Sequence, residues 1–371
     1  MPANKKFLRI AVLGTRGIPG VMGGIETHCQ ELYPRLAAFG HHVTLFGRAP
    51  YLNSKTPYEY LGISIVPLWA PKKKSLEAIL QTFLGILQVA VNRKKFDLLH
   101  IHAVGPSLLI PFAKLCGIPV VMTHHGPDYN RGKWGWIAKS VLRMGEVAGC
   151  HFADTVIAVS RHIATIIEIR FHRKAPYIPN GVNLPPVIPP EAMIASHQLE
   201  PQKYILAVGR FVPEKGFHDL IGAFSKCKTD WKLVIAGDAD HEDHYSRELK
   251  RQAALDSRIV MTGFIRGKEL AEIFSNAGLF VLPSYHEGLP IALLEAISYN
   301  LPILASDIPA NLELAEASET FPVSDVSILS QRLEQMVAAP CKAAAARRRI
   351  EHEFNWDVIA QQTESVYLTV V

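Results

Sequence analysis

The sequence predicts an α/β protein of two domains, each a parallel sheet covered by helices on both faces. Three observations carry this reading. The chain has 371 residues, more than a single hydrophobic core usually serves. Short runs rich in Val, Ile and Leu alternate with longer stretches of helical periodicity, which is the pattern of repeated strand–helix units. A proline-rich stretch, residues 184–202, separates two such series and reads as a linker between domains.

In the first series the strand candidates are Leu8–Leu13, His42–Phe46, Ile63–Leu68, Asp97–His102, Pro119–Thr123 and Thr155–Val159. Gly24–Phe39 is an amphipathic helix, with Ile25, Leu32, Leu36 and Phe39 on one side and Gly40 as its stop. Leu76–Val91 is the longest apolar helix candidate, yet Glu77, Gln81 and Gln88 leave it too short and too polar to span a bilayer. Asn180 and Gly181 are expected to form a hinge turn with positive φ. The second series runs through Tyr204–Val208, Trp231–Ala236, Arg258–Thr262, Leu279–Leu282 and Pro302–Ala305, and the closing FNWDVIAQQTESVYLTV is helical in pattern. The opening MPANKKFLRIAVLGTRG reads as a first strand entering a glycine loop and not as a leader, because Arg9 interrupts the apolar run.

Charge is shared unevenly. Residues 1–183 carry 22 Lys and Arg against 9 Asp and Glu, a net +13; residues 184–371 carry 17 against 25, a net −8. A basic half attracts anionic partners. Its clusters at Lys72, Lys73 and Lys74 and at Arg93, Lys94 and Lys95 flank the apolar helix candidate, an arrangement suited to an anionic membrane surface. A third cluster is Arg170, Arg173 and Lys174. The five cysteines (Cys29, Cys116, Cys150, Cys227, Cys341) have neither metal nor redox spacing, which fits reduced thiols in the cytosol.

Two stretches of the second series carry chemistry. In AVGRFVPEKG, Arg210 and Lys215 follow a strand, and two cations at a strand end suit a diphosphate, Arg as a rigid fork and Lys as a point charge. In SYHEGLPIALLEA a strand runs into a turn that opens a helix. The N–H groups of the helix's first turn, beside Gly288, Leu289 and Pro290, can hold a phosphate. Glu287 and Glu295, eight positions apart, fall close to one helical face and suit sugar hydroxyls.

Together these stretches resemble the donor site of the retaining glycosyltransferases of family 4, over nearly the whole chain. The resemblance implies the GT-B fold, two Rossmann-like domains facing across a cleft. It implies that Arg210 and Lys215 neutralise a leaving diphosphate, that Glu287 meets the donor sugar, and that Glu295 binds the ribose. Phe264 and Ile265, in the segment Gly263–Arg266, match the backbone that reads the base. Gly23 and Gly24, in the loop GIPGVMGG, match a loop near donor phosphates and acceptor, where a missing Cβ allows close approach. His125 in THHGPD matches a histidine that positions the donor sugar, with His124 as its structural neighbour and Asp128 a weaker candidate for the acceptor. GTRGIPGVMGGIETH and RGKWGWIAKS are similar to a bacterial subgroup that builds surface polysaccharides, rhamnosyltransferases included.

The expected domains are residues 1–185 for the acceptor, 186–354 for the nucleotide-sugar donor, and a closing helix, 355–371, packed back on the first. The expected partners are a nucleotide-sugar donor, a lipid-linked or saccharide acceptor and an anionic membrane surface, with no nucleic acid. The expected place is the cytoplasm, peripheral at the inner face of the membrane. No cofactor and no metal are expected. Asp238 and Asp240 form a D-x-D pair, but in a segment that the family uses without metal. The glycines at 14, 17, 20, 23 and 24 do not give G-x-G-x-x-G, which weighs against a dinucleotide oxidoreductase. The other readings are a non-catalytic, membrane-associated partner of another transferase and a same-fold epimerase or phosphorylase.

Overall fold

The computed structural model describes residues 6–71, 77–130, 135–339 and 344–371. Lys72, Lys73, Lys74 and Leu76, the start of RGKWGWIAKS (131–134), and Cys341 lie outside the described residues. The chain divides into two compact units, Met1–Asn180 with Trp356–Val371, and Gly181–Asn355.

Unit 1 contains, in order, β1 (Arg9–Leu13), α1 (Gly24–Ala38), β2 (His42–Arg48), β3 (Tyr58–Tyr60), β4 (Ile63–Leu68), α2 (Glu77–Val91), β5 (Leu98–His102), α3 (Ile110–Leu115), β6 (Val120–His124), α4 (Trp136–Phe152), β7 (Thr155–Ala158) and α5 (Arg161–Phe171). Its sheet runs β3-β4-β2-β1-β5-β6-β7, and every pairing is parallel except that of β3 with β4. Apart from the exposed Arg9, the central strands β1, β5 and β6 are buried along their lengths, as expected of a sheet covered on both faces.

Unit 2 contains α6 (Ala192–Ser196), β8 (Tyr204–Val208), α7 (Phe217–Phe224), β9 (Lys232–Ala236), α8 (His244–Ala253), β10 (Ile259–Gly263), α9 (Lys268–Asn276), β11 (Leu279–Leu282), α10 (Ile291–Ser298), β12 (Ile303–Ser306), α11 (Pro309–Leu312), β13 (Thr320–Phe321), α12 (Val326–Ala338) and α13 (Ala344–Glu353). Its sheet runs β10-β9-β8-β11-β12-β13, parallel throughout.

The closing helix, α14 (Trp356–Val370), belongs to unit 1. Trp356, Ile359, Ala360 and Tyr367 are buried in the cluster that includes Leu32, Tyr33 and Leu36 of α1. Burying an aromatic side chain of this size contributes about 1.5–3 kcal/mol. The Tyr367 hydroxyl also lies 2.6 Å from His100 Nδ1 inside the sheet, so the helix is held by a directed bond as well as by apolar area.

Two sequence expectations need correction. The proline-rich stretch 184–202 is part of unit 2 and carries α6. Backbone N–H groups of Glu191 and Ile194 both donate to Glu272 Oε1, at 2.7 and 3.0 Å, and Ile188 N–H donates to Ser275 Oγ at 2.9 Å. Side chains of α9 thus take the donors the prolines leave, and the stretch is strapped down. Asn180 and Gly181 are not among the residues with positive φ; Asn180 is buried and accepts a hydrogen bond from His28, which holds this segment in unit 1 up to the point of division.

Candidate functional site

Open parallel sheets bind ligands beyond the carboxyl ends of strands where the strand order reverses. In unit 2 that point lies between β8 and β11, and both chemistry-bearing stretches leave the sheet there. Arg210 follows β8 after Gly209; Lys215 closes a short 3-10 turn, Pro213–Lys215. Gly216 then takes φ 65°, where a Cβ would run into the carbonyl oxygen of Pro283, so only glycine fits between this turn and the β11 loop. The two loops are also joined by Tyr285 N–H donating to the Glu214 carbonyl at 2.9 Å.

This scaffold brings Lys215 and Glu287 together: Lys215 Nζ lies 2.6 Å from Glu287 Oε1, and Ser284 Oγ donates to the same oxygen at 2.7 Å. Arg210 Nη1 donates to Asp240 Oδ2 at 2.9 Å. Asp240 arrives from the loop after β9, whose Gly237 packs directly against the backbone of Gly209. All four charged side chains keep partial exposure, so each can exchange its present partner for a ligand. Gly288 is half-buried, Leu289 and Pro290 are buried, and Pro290 precedes α10, which has no side-chain cap at its first turn. Glu295 sits half-buried within α10. Phe264, exposed, and Ile265, half-buried, leave β10, two strands away from β8.

Asp238 and Asp240 do not act as a pair. Asp238 faces Lys250 at 2.9 Å and accepts from Ala239 N–H, while Asp240 faces Arg210.

In unit 1 the order reverses between β1 and β5. The glycine loop after β1 is organised by Glu26 in the first turn of α1. Its carboxylate accepts from Arg16 backbone N–H and Nε at 3.1 Å each, and Arg16 also donates to the Met22 carbonyl. Gly23 takes φ 147°, and a Cβ there would meet Glu26 and Arg16, so this glycine makes room for the buried ion pair; Gly24, by contrast, faces open space. Glu26 and the nearby His28 were not singled out in the sequence, although GGIETH places both at the mouth of α1.

His125 lies just beyond β6, where its Nε2 is 2.9 Å from Nδ1 of His102, the last residue of β5. His28 Nδ1–H donates to Asn180 Oδ1 at 2.9 Å. Tyr33 Oη lies 2.5 Å from His102 Nε2 and 2.9 Å from His100 Nδ1, and Thr123 Oγ1 lies 2.7 Å from His100 Nε2. Burial pushes His28 down to about 4, against the Asn180 bond, and holds His100, His102 and His125 well below the ordinary imidazole value; their mutual repulsion adds to this. These imidazoles are therefore neutral donors and acceptors near pH 7. His124 stands apart: its Nε2 meets the buried Glu146 at 3.1 Å and its Nδ1 accepts from Gly126 N–H. Asp128 lies half-buried in a 3-10 turn, Asp128–Asn130.

Comparison with known proteins agrees with this architecture. Residues 22–185 match the model of Glycosyltransferase Family 4, and residues 191–352 match that of Glycosyl transferases group 1. An uncharacterised glycosyltransferase of Methanocaldococcus jannaschii is 26% identical, over 97% of this chain and 98% of its own. Among solved structures, sucrose-phosphate synthase of Thermosynechococcus elongatus superposes with a TM-score of 0.84 at 23% identity, covering 98% of both chains. Anabaena HepE, solved with UDP and glucose, gives 0.78 at 19% identity, over 98% of this chain and 100% of its own. With the two family matches in this order along the two α/β units, the chain belongs to the GT-B glycosyltransferases of the family 4 type.

Proposed function

We propose that this glycosyltransferase moves a hexose or deoxyhexose from a nucleoside-diphosphate sugar to a hydroxyl acceptor with retention of configuration. The observation that carries the reading is the convergence of Lys215, Glu287 and Arg210 at the reversal point of unit 2, beside an uncapped helix start. Departure of a nucleoside diphosphate builds negative charge on phosphate oxygens, and preorganised cations are the largest help such a step can receive. Arg210 and Lys215 supply it by exchanging Asp240 and Glu287 for phosphate. Glu287, released from Lys215, accepts from the donor sugar's hydroxyls; Glu295 accepts from the ribose; backbone near Phe264 and Ile265 meets the base. His125 positions the sugar as a neutral imidazole. Arg210 and Lys215 stand in for a metal on the leaving diphosphate, and the departing phosphate takes the acceptor's proton, so no protein base is used.

The acceptor in this proposal is lipid-linked, in surface-polysaccharide synthesis of the rhamnosyltransferase-like kind, and is met at an anionic membrane from the cytoplasmic side. Support comes from unit 1. Leu80, Phe83, Leu87 and Val91 of α2 and Trp136, Ile137, Met144 and Val147 of α4 are exposed, with Lys94, Lys95 and Arg143 exposed on the same elements or next to them. Phe83 stacks on Phe112 of α3, which also contacts α4, so the apolar groups are carried on neighbouring elements. Apolar side chains among basic ones suit an interface lying on anionic lipid. No described helix is long and apolar enough to cross a membrane.

The test is thermal stability with UDP, GDP, ADP, dTDP and NAD, without added metal. A ligand at a hundred times its Kd adds about 2.7 kcal/mol. Stabilisation by one nucleoside diphosphate, followed by turnover of the matching sugar nucleotide with an α-linked donor giving an α-linked product, is the expected result. Silence from all four diphosphates, or a response to NAD alone, would overturn it.

A further inference from the structure

We propose that His28, His102 and His125 form a binding site for one divalent transition-metal ion, with three imidazole nitrogens as ligands and one position left open. The three come from α1, the end of β5 and the loop after β6, so the strand order of unit 1, and no local motif, assembles them. Their ring centroids form a near-equilateral triangle with sides of 5.0, 5.2 and 5.5 Å. One ligating nitrogen from each lies within 4.8 Å of the others. Metal–nitrogen bonds of 2.0–2.1 Å at tetrahedral angles place ligand nitrogens about 3.4 Å apart. The cluster therefore needs only a small closure on its His28 side and a slight opening between His102 and His125, now 2.9 Å apart.

Outer contacts already aim the lone pairs. His28 is 3% exposed, and because Nδ1–H is given to Asn180, Nε2 carries a lone pair; this buried nitrogen has no hydrogen-bond partner among the described residues. Tyr33 Oη occupies His102 Nε2, which leaves His102 Nδ1 turned to the cluster. Such second contacts are what fix the tautomer and ring orientation of metal-binding histidines. When Tyr33 Oη accepts from His102 Nε2–H, His125 Nε2–H donates to His102 Nδ1; metal binding then moves that proton to His125 Nδ1, a change of tautomer with no net proton loss.

Three imidazoles with no carboxylate select Zn²⁺, Co²⁺, Ni²⁺ or Cu²⁺ over the oxygen-seeking Mg²⁺ and Ca²⁺. The ion is not a cofactor of the proposed transfer. By engaging His125 it withdraws the imidazole that the transfer uses, so occupancy inhibits; this consequence alone rests on the proposed function.

The experiment is titration of the untagged, metal-free full chain with Co²⁺, read by the visible absorption of tetrahedral Co²⁺ and competed with Zn²⁺ and Mg²⁺. One equivalent should bind, Zn²⁺ should displace it and Mg²⁺ should not. His28→Ala and His102→Ala should abolish the band, while the exposed His352→Ala should keep it. If either cluster variant does not fold, Asn180→Ala leaves all three ligands and should weaken binding about 10–100-fold, the usual cost of losing an outer partner. Absence of a tetrahedral band, a band that survives His28→Ala, or a Co²⁺ affinity unchanged in Asn180→Ala overturns the site. Failure of the transferase reading is separate: Co²⁺ would still bind a chain that turns over no sugar nucleotide. Chelators that abolish turnover would instead mean that transfer depends on a metal, and would overturn the inhibitory role.

Discussion

Lys215 and Glu287, 72 residues apart in the chain, meet at 2.6 Å where the loops after β8 and β11 come together. The two side chains are 18% and 13% exposed, enough for a ligand to reach both. A diphosphate brings more negative charge than one carboxylate and can take Lys215 from it. Glu287→Ala should therefore leave nucleoside-diphosphate affinity within about threefold of the parent, since it frees Lys215 at little cost. Turnover of the sugar nucleotide should still fall steeply, because the carboxylate that meets the sugar is gone. Calorimetric titration beside steady-state kinetics separates the two, and a parallel loss of both would refute the division of labour.

Arg210 is held by Asp240 in the same manner. Arg210→Ala should lower kcat by about two to three decades, the size of losing one donor to a developing anion. Asp240→Asn should do the opposite to binding. It removes the competing charge, so the diphosphate Kd should fall by about two- to fivefold, with a weaker response of that gain at high salt. Unchanged affinity in Asp240→Asn would mean that the ion pair does not compete with the ligand.

Much of this was legible in the sequence. Ile63–Leu68, Tyr204–Val208 and Leu279–Leu282 are strands with the bounds that their apolar runs imply. The strands without a sequence signal were β3 and β13: three and two residues long at the sheet edges, they have no run of β-branched residues to betray them. Arg210 and Lys215 after β8, and Glu287 after β11, could be found because each group follows a strand end in a stretch readable by itself. The pairing of Asp240 with Arg210 and the assembly of His125 with His28 and His102 could not. His28, His102 and His125 are far apart in sequence, and only the adjacency of β1, β5 and β6 brings them together. The prolines of 184–202 suggested a loose linker, because the partners that fix it, Glu272 and Ser275, lie more than seventy residues away.

Gly216 should tolerate no side chain. At φ 65° an L-residue is strained, and a Cβ would overlap the Pro283 carbonyl on the facing loop. Gly216→Ala should destabilise unit 2 by about 1–3 kcal/mol and push the Lys215 turn away from Glu287. A lower unfolding temperature together with weakened nucleotide binding is the expected result. An unshifted melt would show that the loops can separate without cost.

Glu146 gives a pH dependence whose sign follows from its surroundings. Its carboxylate is fully buried against His124, Tyr129 and Arg170, the last at 2.7 Å. Burial raises its pKa, but the His124 hydrogen bond and charge, then Arg170 and Tyr129, outweigh it and leave the group below its ordinary value. A carboxyl with a depressed folded pKa stabilises the fold above its unfolded pKa and loses that contribution as pH falls through the folded one. Glu146→Gln should cost about 1–3 kcal/mol near pH 7, and the deficit should shrink on acidification below about pH 4. Thermal unfolding across pH checks this, and a deficit that stays constant to low pH would rule the linkage out.

The membrane proposal makes the last prediction. Trp136 and Ile137 open α4 with 79% and 61% of their surface exposed, and their removal should not disturb the core of unit 1. Their transfer into an interfacial layer would be favoured by the hydrophobic effect, while Lys94, Lys95 and Arg143 add about 1 kcal/mol each near anionic lipid. The full chain should therefore co-sediment with vesicles containing phosphatidylglycerol, and release should follow rising salt, because the charged part is screened over about 10 Å at 0.1 M. Trp136→Ser with Ile137→Ser should reduce the bound fraction several-fold at low salt without changing the unfolding temperature. Lys94→Gln with Lys95→Gln should reduce it at moderate salt and flatten the salt response. If the serine variant binds as the parent does, contact runs through charge alone and α4 has no part in it. If neither variant differs and neutral vesicles bind equally, the basic, apolar face of unit 1 does not select anionic lipid.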